Sequence, residues 1–161
     1  MNDRFWYTAD NIPIDDIKAV VRQMAAETRV FHIGTDAQKH GIKTEYVSVI
    51  CALLPGKGGR VFYSRVKEKR VASLREKLYK EVWFSIEVGL MLNEVIPANT
   101  EVIVHVDANP NVKFKSSSYV KELAGMVVGQ GFQAVLKPDA WAASHAADQI
   151  VKYRNPDRFA A

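Results

Sequence analysis

Residues 44–67, TEYVSVICALLPGKGGRVFYSRVK, decide the fold of this chain. Two runs rich in β-branched and aromatic residues, 44–55 and 59–67, flank the sequence PGKGG, and proline and glycine at such a point predict a β-hairpin. Another strand, residues 29–36 (RVFHIGTD), is predicted directly before the hairpin. A doubly wound dinucleotide-binding domain has a helix after its first strand, so the hairpin argues against that fold.

Helices and strands alternate along the remainder of the chain. The predicted elements after the hairpin are a helix from Leu74 to Asn93, a strand at 100–107, a helix at 117–131, a strand at 132–139 and a helix at 140–154. A leading helix is predicted at 13–28, where apolar residues recur at helical spacing. Right-handed crossovers would place the last two strands parallel to the first.

This order of elements predicts an α/β fold of the ribonuclease H-like type. Five strands would form a mixed sheet in the order 3-2-1-4-5, with strand 2 antiparallel, helices on the faces of the sheet and an extra N-terminal helix. We expect a single domain over residues 1–161, with the core at 30–152. A chain of 161 residues fits one domain and can bury a sizeable core.

The composition is that of an ordinary globular protein, with 48% hydrophobic and 25% charged residues. A formal net charge of +4 favours a polyanionic partner such as nucleic acid. Cys51 is the single cysteine, so no intrachain disulfide is expected, and its apolar neighbours predict a buried side chain. The N-terminal residues lack an apolar signal core, and no uncharged run reaches about 18 residues, so we expect a cytoplasmic protein without a membrane span.

Acidic residues fall at the ends of three predicted strands. Strand 1 ends at Asp36, strand 4 ends at Asp107, and Asp139 closes strand 5. Strands 1 and 4 are expected to be parallel neighbours, so their carboxyl ends meet at the edge where open α/β sheets bind ligands. A single aspartate at a strand end is usually a turn residue, but three at one edge indicate a shared role.

Glu81 lies in the middle of the apolar stripe of the long predicted helix. With an advance of about 100° per residue, the residues on its side of the helix are Leu74, Leu78, Ser85, Val88 and Leu92. This stripe must face the sheet, so a carboxylate stands where a hydrophobic side chain would be expected. A salt bridge would explain such a glutamate, and so would a metal site shared with the aspartates.

The four acids Asp36, Glu81, Asp107 and Asp139 would therefore converge at one edge of the sheet. Carboxylates so close together cannot all stay ionised without compensating positive charge. Oxygen ligands suit Mg²⁺ or Mn²⁺, and two such ions about 4 Å apart can activate a water and stabilise the leaving oxygen of a phosphodiester. The pattern predicts a two-metal-ion site for phosphodiester hydrolysis.

Four stretches of the chain resemble the YkuK-type bacterial family, which is classed as ribonuclease H-like and is largely uncharacterised. They are IGTDAQ (33–38), LREKLYKE (74–81), HVD (105–107) and YVKELAGMVVGQGFQAVLKPDAWAASHAAD (119–148). The similarity covers about residues 30–152. It implies the ribonuclease H-like fold, and it implies a nuclease activity by analogy only, since that fold also carries proteins that are not nucleases.

The resemblance also implies roles for individual acids. Asp36 matches the first-strand acid of the superfamily, Glu81 its first-helix acid and Asp107 its fourth-strand acid. The last acid of the set is either Asp139, at a strand end, or Asp148, within the final helix.

The chain departs from the family pattern at two places beside this predicted site. Ala108-Asn109 follows Asp107 where the family usually has Ile-Gly, and Gln149 stands where arginine is frequent. Two hypotheses for function are therefore kept. The first is a divalent-metal-dependent nuclease or phosphodiesterase acting on nucleic acid, and the alternative is a non-catalytic module that retains the fold and binds nucleic acid or protein.

Three histidines accompany the acids. His32 and His105 alternate onto the same faces of their strands as the strand-end aspartates and are expected to touch. They would be metal ligands, proton shuttles or, as we favour, histidines satisfied in the core. His145 precedes Asp148 by one turn of the final helix and could reach the edge of the site.

Lysines and one tryptophan are the predicted contacts to nucleic acid. Lys113 and Lys115 lie in a loop before a helix N-terminus, where both the charges and the helix end attract phosphate, although a solvated loop explains them equally well. Lys137 lies at the end of strand 5. Trp141 would stack on a base or, as we favour, pack against the sheet.

Overall fold

The predicted hairpin and its neighbours form a mixed β-sheet in the computed structural model, which describes residues 4–142 apart from 55 and 57. The strands are β1 (Trp6–Thr8), β2 (Pro13–Ile14), β3 (Val30–His40), β4 (Lys43–Leu54), β5 (Gly58–Lys69), β6 (Glu101–Val106) and β7 (Gln133–Leu136). The helices are α1 (Ile17–Met24), α2 (Leu74–Asn93) and α3 (Val120–Gly129), and a 3-10 helix, Lys115–Tyr119, precedes α3. The helix predicted at 140–154 lies almost wholly outside the described residues.

The strand order confirms the predicted fold class. The sheet runs β2-β1-β5-β4-β3-β6-β7, and its last five strands are the five predicted strands in the predicted order. β4 pairs antiparallel with both β3 and β5, whereas β6 is parallel to β3 and β7 is parallel to β6. The short strands β1 and β2 were not predicted, and they extend the sheet beyond β5, where Trp6 pairs with Ser64.

β3 is longer than predicted, which changes the setting of Asp36. The strand continues to His40 because its antiparallel ladder with β4 extends that far, and Asp36 pairs with Val47 within this ladder. The expectation that the strand ends at Asp36 is therefore wrong. The parallel pairing with β6 stops earlier, at Gly34 with His105, so Asp36 lies just beyond the end of that neighbour.

The N-terminal helix is shorter than the predicted 13–28. Pro13 pairs with Tyr7 in the β1–β2 ladder, so the chain is extended at the point where the helix was expected to begin. Asp16 then caps α1, because its side chain accepts a hydrogen bond from the Ala19 N–H at 3.1 Å.

Both faces of the sheet bury apolar side chains. Phe31 and Ile33 of β3 belong to the main core, which also contains the apolar side of α2 and residues of α1 and α3. Val47 and Cys51 of β4 belong to a smaller cluster on the opposite face, which includes Ala142. Cys51 is buried, as predicted.

α2 begins and ends where the sequence predicts. Ser73 Oγ accepts a hydrogen bond from the Glu76 N–H at 3.1 Å, and the Glu76 carboxylate accepts one from the Ala72 N–H at 2.9 Å, which satisfies the start of the helix. The helix buries Glu81 among its apolar residues. Within the described part of the chain, no helix is long and apolar enough to cross a membrane.

Candidate metal centre

Three of the predicted acids lie together. Asp36 comes from β3, Glu81 from α2 and Asp107 from the position directly after β6. One carboxylate oxygen of each lies within 4.8 Å of those of the other two. A set of three oxygen donors at this spacing has the chemistry that Mg²⁺ and Mn²⁺ prefer.

The fold brings these acids together from two sides of the sheet. Side chains alternate along β3, so Asp36 lies on the face opposite Ile33, which belongs to the core beneath α2. Glu81 comes from α2 on the other face. β6 ends at Val106, and Asp107 follows it beside the part of β3 with which β6 no longer pairs. The three carboxylates therefore meet beyond the end of β6, where β3 no longer has this strand as a neighbour.

Glu81 is the most deeply buried of the three acids. The residue is 3% exposed, and the Lys77 ammonium, 3.4 Å from Oε1, leaves both carboxylate oxygens without a well-formed hydrogen bond among the described residues. Burial, with the neighbouring charges of Asp36 and Asp107, raises the pKa of Glu81 well above its ordinary value, although Lys77 opposes this effect. A buried carboxylate without hydrogen bonds is costly, and a bound cation would compensate it, so these residues fit a divalent metal ion.

Two lysines bring positive charge to the acids. Lys77 Nζ lies 3.4 Å from Glu81 Oε1, and Lys137 Nζ forms an ion pair with the carboxylate of Asp107. Burial acts to lower the pKa of Lys77, but the carboxylates of Glu81, Asp36 and Asp107 outweigh it and raise that pKa. The contact of Lys77 with Glu81 was not predicted, although the position of Lys77 one helical turn before Glu81 was a usable signal.

The two histidines of the adjacent strands touch each other, as predicted. His32 Nδ1 and His105 Nε2 are 2.9 Å apart, and His105 Nδ1 accepts hydrogen bonds from the backbone N–H groups of Trp141 at 3.1 Å and Ala142 at 3.4 Å. Because Nδ1 accepts, His105 carries its proton on Nε2 and donates it to His32. Burial, together with His32, lowers the pKa of His105 to about 4, so the ring is neutral at pH 7.

These histidines pack around Trp141 rather than among the acids. The Trp141 ring lies 4.7 Å from the His32 ring and 4.8 Å from the His105 ring, measured between centroids. Trp141 thus packs against the sheet, as favoured from the sequence. The described residues hold one group of acids that could bind a metal, and neither histidine belongs to it.

The remaining predicted residues lie apart from the acidic group or outside the described residues. Asp139 is exposed in the turn after β7, where its N–H bonds to the Leu136 carbonyl at 2.9 Å, and it is not one of the three clustered acids. Lys113 and Lys115 are exposed in the segment after Asp107. Asp148 and His145 fall outside the described residues.

Comparisons with known proteins identify one family and two similar proteins. The family model described as ribonuclease H-like matches residues 13–152. The uncharacterised protein YkuK of Bacillus subtilis (strain 168) is 24% identical over 154 residues, which is 86% of this chain and 88% of that protein. The N-terminal RNase H domain of a Mycobacterium tuberculosis protein, solved as a fusion with maltose-binding protein, matches 80% of this chain and 100% of its own at 15% identity, with a TM-score of 0.40.

Proposed function

Because this chain belongs to the ribonuclease H-like family, we propose that it is a divalent-metal-dependent nuclease that hydrolyses phosphodiester bonds in nucleic acid. The observation that carries the proposal is the group formed by Asp36, Glu81 and Asp107, whose ligand oxygens lie within 4.8 Å of one another. Lys77 compensates the buried Glu81 only in part, because the pKa of Glu81 remains raised, so a bound cation would stabilise the folded protein further. Such a group therefore favours a function that uses a cation.

Each residue of the group would contribute oxygen ligands to Mg²⁺ or Mn²⁺. Asp36 and Asp107 would bridge or flank the ions, and Glu81 would complete one site. The fourth acid would be Asp148, outside the described residues, or Asp139, which is not among the three clustered acids. When bound, the metal supplies a water of lowered pKa and stabilises charge at the phosphodiester.

Lys77 and Lys137 have a defined part in this proposal. Both ammonium groups lie against ligand carboxylates, Lys77 at Glu81 and Lys137 at Asp107. They lower the repulsion among the acids before a metal binds, and afterwards they are available to contact phosphate oxygens of the substrate.

The test is metal-dependent cleavage by purified protein. We expect the wild-type chain to cut RNA, DNA or an RNA–DNA hybrid in the presence of Mn²⁺ or Mg²⁺, and not in EDTA. Asp36→Asn keeps the shape of the side chain and removes one ligand charge, so it should abolish cleavage. Asp10→Asn, an exposed turn residue at a distance from the acids in sequence, is the matched control and should cleave normally.

The alternative is a non-catalytic module that retains the fold. The ion pairs of Lys77 and Lys137 favour it, because they already neutralise part of the acidic group. Such a module would bind nucleic acid or protein equally well in wild-type and Asp36→Asn forms and would take up no Mn²⁺. If both proteins are inert toward single strands, duplexes, hybrids and junctions, the nuclease proposal is wrong.

A further inference from the structure

The segment after Asp107 forms a loop that is held closed by its own hydrogen bonds. The Asn109 N–H donates to Ser116 Oγ at 3.0 Å, which joins the two ends of the 109–116 loop. Inside it, Asn109 Oδ1 accepts from the Asn111 N–H at 2.9 Å, and Asn111 accepts from the N–H groups of Lys113 at 3.1 Å and Phe114 at 3.0 Å. The loop is therefore a defined structure and can hold side chains in fixed positions.

This loop presents apolar side chains to solvent. Val112 is 91% exposed and Phe114 is 44% exposed. The Lys113 ammonium lies 5.3 Å from the centre of the Phe114 ring. Phe114 is thus a partly exposed aromatic ring on an ordered surface loop, which another planar group can cover when the flexible Lys113 side chain moves from the ring to a phosphate.

The loop and the start of α3 that follows it carry positive charge only. Between Asp107 and Glu122 the sequence contains Lys113, Lys115 and Lys121 and no acidic residue. The acids of the candidate metal centre repel phosphate until a cation binds them, whereas these lysines attract phosphate directly. The combination of a flat aromatic ring with flanking lysines matches the chemistry of a nucleotide, which has a flat base and a charged phosphate.

The loop lies close enough to the acids to contact the same strand. Asn109 is two residues after Asp107, and Phe114 is two residues before Ser116, whose hydroxyl bonds to Asn109 at 3.0 Å. This path is no longer than about 20 Å, the sum of four residue steps and one side-chain contact. About six stacked nucleotides, each rising about 3.4 Å, span that distance.

From these features we infer that the 109–116 loop binds single-stranded nucleic acid, with an unpaired base stacked on Phe114 and phosphates held by Lys113 and Lys115. A base inside a duplex has both faces covered by its neighbours and cannot stack on this ring, so the substrate is a single strand or a strand with an unpaired end. The inference rests on the proposed nuclease function and names the substrate class of its site.

Binding without cleavage tests the inference. The Asp36→Asn protein, kept in EDTA, is titrated against fluorescein-labelled single strands of about 12 nucleotides, as RNA and as DNA, and against the corresponding duplex, with anisotropy as the readout. Single strands should bind more tightly than the duplex. Phe114→Ala should weaken single-strand binding on the order of tenfold, because it removes the stacking surface, and Phe114→Tyr should restore it.

Matched variants separate stacking from charge. Phe5→Ala removes another exposed phenylalanine, on the segment leading into β1, and should leave binding unchanged. Lys113→Gln should weaken binding of all strands and reduce the dependence of log K on log salt by about 0.7, the value for one phosphate contact on a single strand.

Two results would overturn the inference: equal affinity of the Phe114→Ala protein and its parent for single strands, or tighter binding of the duplex. These results are independent of the nuclease assay. Phe114-dependent binding with no cleavage by the wild type would leave the loop assignment standing and remove the nuclease proposal. Cleavage by the wild type with no effect of Phe114→Ala on binding would leave the nuclease proposal standing and remove the loop assignment.

Discussion

Glu81 sets the electrostatic behaviour of the candidate site at the scale of single residues. Its pKa in the folded protein is raised, chiefly by burial, so the folded chain holds a proton at pH values where the unfolded chain has released it. The contribution of this group to stability is fully present below the unfolded pKa of about 4.3 and is lost as the pH rises through the folded pKa. Without metal, burial of this group therefore destabilises the folded protein at neutral pH, where the unfolded chain has released the proton.

Glu81→Gln should stabilise the metal-free protein at pH 8. Glutamine keeps the size of the side chain and has no charge to bury, so the free energy of unfolding should rise by about 1–3 kcal/mol relative to the wild type. At about pH 4 the wild-type side chain is protonated, and the gain should disappear. Urea denaturation in EDTA at both pH values measures the difference, with the exposed Glu122→Gln of α3 as the control.

Addition of Mn²⁺ should reverse that order of stability. The metal binds the folded wild type and raises its stability by mass action, whereas the glutamine variant lacks one charged ligand and gains less. A Glu81→Gln protein that is less stable than the wild type at pH 8 in EDTA would show that the glutamate is held by its ion pair with Lys77 rather than strained by burial.

Local patterns in the sequence predict the elements with long periodic runs. α2 was predicted at its observed bounds, because Ser73 has the capping chemistry and the apolar period continues without interruption to Asn93. The same stripe located Glu81 correctly at a buried position. The end of β3 was not predicted, because residues 38–40 are polar and only their pairing with β4 keeps them extended.

Gly89→Ala tests how closely α2 packs against Phe132, the residue directly before β7. A Cβ at this position would lie 2.8 Å from Cζ of Phe132, which is itself buried. Alanine favours a helix by about 1 kcal/mol over glycine, but the overlap should cost more, so we expect a net loss of about 1–2 kcal/mol. Thermal and urea denaturation measure the change.

Gly125→Ala on α3 is the matched control. A Cβ there meets no atom within 4 Å, so the helix preference of alanine should act alone and stabilise the protein by up to about 1 kcal/mol. If both alanine variants stabilise the chain by a similar amount, then α2 and Phe132 are not in close contact in solution.

At the scale of the whole molecule, the fold class was predictable from the sequence. The pairing of the N-terminal strands β1 and β2 at the edge of the sheet was not. The order of hairpin, helices and strands restricts the sheet to one topology. That topology makes β3 and β6 parallel neighbours, so it places Asp36 and Asp107 close together. β1 and β2 contain three and two residues, too few to show any periodicity. Lys77 and Lys137 were not predicted to pair with the acids, because those pairs depend on where side chains meet in space.

The N-terminal segment is joined to the centre of the molecule by a chain of polar contacts. Arg4 donates to Ser48 Oγ at 3.1 Å, and Ser48 Oγ lies 2.9 Å from Thr35 Oγ1. Thr35 in turn contacts the Ser85 hydroxyl of α2 at 2.8 Å. Since Thr35 directly precedes Asp36, this network connects the first described residue to the strand that carries the candidate site.

Arg4→Met should destabilise the whole molecule by about 2–3 kcal/mol, because it leaves the half-buried Glu87 carboxylate of α2 without its partner at 2.9 Å. Burial lowers the pKa of Arg4, whose side chain is only 8% exposed, so this pair is largely shielded from solvent. Lys18→Met is the matched control, since Lys18 of α1 pairs with Glu94 at the end of α2 at 2.7 Å in the open, where such a pair contributes at most about 1 kcal/mol. Urea denaturation at constant pH compares the two variants. Equal losses would mean that the ion pair of Arg4 with Glu87 contributes no more than a surface contact.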